Sequence, residues 1–65
     1  MKTYTVYYWM GGAEVGEWRK CLPVTTREEA LAQTADINRG GRVAHYADTA
    51  QLENVGLPDG PPSSR

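Results

Sequence analysis

Apolar and polar positions alternate at the start of the chain. The run Thr3 to Met10 is rich in β-branched and aromatic residues, the types that suit a pleated, half-buried surface. Successive side chains of a strand point to opposite faces. Tyr4, Val6, Tyr8 and Met10 therefore share one face, and Thr3, Thr5, Tyr7 and Trp9 share the other. The first set is the more apolar and is assigned to the core. Gly11 and Gly12 follow, and glycines supply the positive φ angles that a tight hairpin needs. Val15 to Leu22 reads as the returning strand, with less regular alternation. Trp18 and Leu22 fall on one face with Gly16 and Lys20, and Val15, Glu17, Arg19 and Cys21 on the other; Trp18 is assigned inward. Pro23 ends this strand because it has no N–H to give to a ladder.

The period then changes from two to that of a helix. Thr26, Arg27, Glu28 and Glu29 form a capping box, and Ala30, Leu31, Thr34 and Ile37 recur at helical spacing. Glu28 and Glu29 in the first turn and Arg39 in the last suit the helix dipole. Gly40 is expected as a left-handed cap. The apolar stripe is narrow and made of mostly small residues, so the helix should pack close to a sheet. Arg42 to Ala47 reads as a third strand. Asp48 is a fair cap for a short helical turn pinned by Leu52 and Val55 and ended by Gly56. Residues 57–65 hold three prolines, an Asp-Gly pair and two serines, and read as an extended tail.

The elements give an α+β domain over residues 1–56, of order β-β-α-β, and a tail over 57–65. A hairpin followed by a crossover helix sets the third strand beside the first. The expected sheet is three-stranded and antiparallel, of order 2-1-3, with the helix on one face. The opposite face is expected to be open.

Composition narrows the functional classes. The chain has 65 residues, and a domain of this length buries only about 60% of the surface its unfolded chain exposes. Few residues are left to wall a small-molecule cavity of about 300 Å³ or more. Seven Lys and Arg stand against eight Asp and Glu, for a net charge of -1, which is not the basic balance of a strong nucleic-acid binder. The lone cysteine, Cys21, points to a reducing, cytoplasmic setting, because small secreted domains normally carry paired cysteines. No stretch approaches the roughly 20 apolar residues of a membrane span, and the first residues are unlike a signal peptide.

Catalysis and cofactors find little support. One Cys and one His, far apart, do not make a zinc motif, so no metal site is expected. Cys21 and His45 belong to strands separated by the central one, which disfavours a nucleophile–base pair. Gly11–Gly12 and Gly40–Gly41 are lone pairs, accounted for as turn and cap rather than as a phosphate loop. What remains is the sheet face opposite the helix. Tyr7, Trp9 and Arg19 are expected at the centre of a contact surface there, with strand three adding His45 or, as the preferred choice, Tyr46. Tyr, Trp and Arg dominate binding hot spots. The structural alternative has Trp9 covered by the tail or the hairpin and serving only the sheet.

The expectation is a non-enzymatic protein-binding module. Two alternatives stand beside it. One is single-stranded nucleic-acid binding by stacked aromatics and Arg; the other is a symmetric homodimer through an uncovered edge or face. In size, layout and cytosolic character the chain resembles the small accessory proteins of phages and mobile elements, including anti-CRISPR proteins. The resemblance is one of general form and carries over no residue. It implies a stoichiometric inhibitor in the host cytoplasm that blocks a surface on a larger host protein or ribonucleoprotein complex.

Overall fold

The computed structural model describes residues 1–12, 14–58 and 60–62. Asp59, Ser63, Ser64 and Arg65 of the expected tail lie outside them. Five elements follow in order: β1 (Tyr4–Gly11), β2 (Gly16–Lys20), α1 (Arg27–Arg39), β3 (Ala44–Asp48) and α2 (Thr49–Val55). The aromatic, β-branched run forms the central strand of an antiparallel sheet of order β2-β1-β3. The sheet order read from the sequence is therefore the one observed, and the predicted terminal turn is a two-turn helix.

The hairpin expected after Met10 closes over residues 12–15. Gly11 pairs with Gly16, and the Gly12 N–H donates to the Val15 carbonyl at 2.7 Å to close the loop. Gly11 has φ 136°, and a Cβ there would fall against the Val15 carbonyl oxygen. Two glycines facing each other at the strand ends thus allow a backbone approach that side chains would block. β2 is also shorter than Val15 to Leu22. The Cys21 N–H still reaches the Val6 carbonyl, but Val24 rather than Pro23 opposes Tyr4. The ladder takes up one extra residue around Leu22 and Pro23, in the manner of a bulge, where proline has no hydrogen to offer.

Thr26 caps α1 as the sequence requires, accepting from the Glu29 N–H at 3.1 Å. At the other end Gly40 is not left-handed; its φ is -78°, and Gly41 takes the positive φ of 98°. The Gly41 N–H bonds the Asn38 carbonyl and the Arg42 N–H the Ile37 carbonyl, the paired bonds of a Schellman closure with glycine in the left-handed place. Because Arg42 is used in closing the helix, β3 begins at Ala44 rather than at Arg42. Ala30 is buried, Thr34 and Ile37 are half-buried, and Leu31 is 45% exposed. Leu31 sits about 100° around the helix from Ala30, off the contact line.

Val6, Ala30 and Ala44 form the buried contact between α1 and the sheet. Their small size lets helix and sheet approach closely, as the stripe predicts. The other sheet face is not open. α2 covers one end of it: Leu52 is buried, and the Thr49 hydroxyl accepts from Thr3 at 2.8 Å and shares a 2.7 Å hydrogen bond with Thr5. Asp48 caps α2 by accepting from the Ala50 N–H at 2.9 Å. Gly56, at φ 87°, turns the chain out of α2 and into the proline-rich segment. Among the described residues, no helix is long and apolar enough to cross a membrane.

Candidate binding surface

Register decides which side chains share the face opposite α1. On β1 this face carries Thr5, Tyr7 and Trp9. Trp18 of β2 lies directly opposite Trp9, and Lys20 opposite Tyr7; His45 of β3 lies opposite Tyr7 from the other side. Directly opposed residues of an antiparallel pair point the same way. Trp18 is therefore on this face, not inward toward α1, and Arg19 is on the α1 side, opposite Tyr8.

Four rings make one cluster. Trp18 meets Trp9 edge-on at a centroid distance of 5.4 Å and Tyr7 at 5.3 Å. His45 lies 5.9 Å from Tyr7 and 6.2 Å from Trp18. Edge-to-face pairs at such distances hold ring orientation through their quadrupoles, beyond the area they bury. The members differ in access. Trp9 is only 9% exposed, with its indole N–H donated to the Gly12 carbonyl at 2.7 Å. Its ring lies against the bare backbone of Gly16, where an added Cβ would stand 2.9 Å from the Trp9 Cζ2. Trp9 is thus the buried floor of the cluster and locks the hairpin. Tyr7 and Trp18 are half-buried, and His45 is exposed.

Two residues expected on this surface are placed on the other side. Arg19 pairs with Glu17 of its own strand, with Nη2 to Oε2 at 2.9 Å. Tyr46 lies opposite Val6, stacks edge-on with Tyr4 and accepts from the Arg27 Nε at 2.9 Å. That bond raises the Arg27 pKa above its ordinary value. The face on which Tyr46 and Arg19 were expected to join Tyr7 and Trp9 carries His45 and Trp18 instead.

The C-terminal segment crosses the cluster. The Trp18 indole N–H donates to the Gly60 carbonyl at 2.8 Å. Pro58, Pro61 and Pro62 line a shallow cleft of about 630 Å³ with Tyr7, Trp18 and His45; Tyr46 borders it too, although its ring points to α1. A second cleft, of about 410 Å³, runs from Tyr7 and Ala47 beneath the end of α2 to Leu57 and Pro58. Tyr7 is thus shared by both. Of the two cations on β2, Lys20 stands on this face and Arg19 does not.

No family model, curated protein or solved structure matches the chain.

Cys21 and His45 stand at the outer strands, on either side of β1. Cys21 is half-buried, and burial pushes its thiol pKa up, the opposite of what activates a nucleophile. Among the described residues, no three His, Cys, Asp or Glu side chains come together as a metal site.

Proposed function

We propose that the chain is a non-enzymatic protein-binding module whose contact surface is Tyr7, Trp18 and His45. The observation that carries this reading is the Trp18 side chain: half-buried, clasped edge-on by Tyr7 and Trp9, and spending its one donor on a carbonyl of a chain segment laid across it. A rigid aromatic anchor with an addressed hydrogen bond is the usual centre of a binding hot spot. The two clefts that meet at Tyr7 give the surface relief without enclosing a small-molecule cavity.

Single-stranded nucleic acid is the weaker reading, because Lys20 is the cation that the sheet contributes to this face while Arg19 is engaged with Glu17. Self-association through the sheet edges is the third. The specialised form of the leading reading is a stoichiometric inhibitor that blocks a surface on a larger host protein or ribonucleoprotein complex. It rests on the general form of the chain, and its cytoplasmic setting on the lone thiol of Cys21.

The test is retention of a partner by the tagged full-length protein from lysate of the cells in which it acts, before and after nuclease, beside a Tyr7→Ala/His45→Ala variant checked for folding by circular dichroism. A defined protein that survives nuclease and is lost with the variant supports the reading. Retention that vanishes with nuclease transfers the surface to nucleic acid. Retention unchanged in the variant removes the surface from consideration.

A further inference from the structure

Building on that reading, we propose that the Tyr7–Trp18–His45 cleft recognises an extended proline-rich segment of a partner protein, and that Pro58, Gly60, Pro61 and Pro62 of this chain occupy the site until such a segment displaces them. The chain's own tail displays the chemistry that the cleft accepts. Three of residues 57–62 are prolines: Pro58, Pro61 and Pro62. Proline segments bring little conformational entropy to lose, and their backbone carbonyls are free of internal hydrogen bonds. Grooves that read them pair aromatic walls, which take the flat pyrrolidine rings, with a donor for a carbonyl. Both parts are present. Tyr7, Trp18 and His45 line the cleft together with the three prolines, and the Trp18 indole N–H reaches the carbonyl of Gly60, the residue that precedes Pro61.

The tail is an imperfect occupant, which makes it exchangeable. Gly60 has φ 71°, so the segment turns where a continuous extended ligand would run straight. Pro58 and Pro61 remain exposed, and the cleft between prolines and rings stays open. A segment in the same chain competes at an effective concentration in the millimolar range. A partner segment must therefore outbind a weak contact that is always at hand, and the tail sets a threshold for binding.

The test uses 15N-labelled full-length protein and an acetylated peptide with the sequence of residues 57–62, followed at the Trp18 indole N–H resonance. Three proteins are compared: wild type, the tail variant Pro61→Ala/Pro62→Ala, and the tail variant with Trp18→Phe added, which keeps a ring and loses the donor. The expected result is peptide binding about tenfold tighter to the tail variant than to wild type. An otherwise identical peptide with alanine in place of its prolines should fail to bind the tail variant. Adding Trp18→Phe to the tail variant, read at the Tyr7 and His45 backbone amides, should lose about tenfold in affinity relative to the tail variant, the size of one hydrogen bond in a partly dry site. Equal affinity of wild type and tail variant, or an alanine peptide that binds as well as the proline one, overturns the proposal. So does a dimer that grows with protein concentration and exchanges tails, which would give the cleft to a second copy. These failures are separable from failure of the binding module itself: partner retention lost in Tyr7→Ala/His45→Ala, with no peptide binding, keeps the module and discards the proline-rich ligand.

Discussion

At the scale of single residues, the account turns on which rings are floor and which are surface. Trp9 is held by Gly12 and by the bare face of Gly16, and Gly16 is therefore a packing residue. Gly16→Ala sets a methyl 2.5 Å from the Met10 carbonyl oxygen and 2.9 Å from the Trp9 ring. It should cost about 1–3 kcal/mol as overpacking, read as a lower urea midpoint with an unchanged slope. Cys21 gives a chemical check. Its thiol pKa is raised by burial, so the native protein holds less thiolate than the unfolded chain at the same pH. Alkylation by iodoacetamide should be slower in native buffer than in denaturant near pH 8. The gap should narrow as pH rises further, because the unfolded thiol is then already ionised while the native one is still ionising. An equal rate in both states would mean that Cys21 is open to solvent.

At the scale of elements, strand identity was legible and strand facing was only half so. The alternation of Tyr4, Val6, Tyr8 and Met10 identified the core face of β1 because one face is plainly more apolar. Hydrophobicity alone places Trp18 inward. Hairpin parity held the better signal: a connecting loop with an even number of residues sets an odd position of β1 opposite an even one of β2, which puts Trp18 with Tyr7 and Trp9 whether the loop has two residues or four. No comparable rule chooses between His45 and Tyr46, since the register of β3 depends on where α1 stops. That stop is made by Gly41 and Arg42 in a Schellman closure, one residue later than the Gly40 cap read from the sequence. Asn38 finishes the junction. Its amide accepts from the Ala44 N–H at 2.9 Å and donates to the Ala44 carbonyl at 3.3 Å, standing in for a neighbouring strand at the outer edge of β3. Asn38→Ala leaves both groups of a buried residue without that partner, and should destabilise by about 1–3 kcal/mol. Amide exchange at Ala44 should rise more than at Val6. Uniform loss of protection along the sheet would show that Asn38 acts through global stability and not at the β3 edge.

At the scale of the whole molecule, the sequence implied two layers and the structure has a third, partial one. The open face expected opposite α1 is covered at one end by α2 and crossed at the other by the tail. The signs were present in Leu52 and in the prolines. Direction is not legible in the sequence: Gly56 at φ 87° sends the tail back across the sheet to the Trp18 indole, which hydrophobicity alone turns inward. The small core of Val6, Ala30 and Ala44 lies under α1, while Tyr7, Trp9 and Trp18 gather on the second face, the surface proposed to act by contact. The most direct test is a chemical-shift map of the 15N-labelled protein on addition of the protein it retains from lysate. The account predicts perturbation of the Trp18 indole N–H, of the Tyr7 and His45 amides, and of Leu57 and Gly60 as the tail is displaced. Perturbation centred instead on the outer side of α1, around Glu28 and Leu31, with the Trp18 indole unmoved, would contradict it.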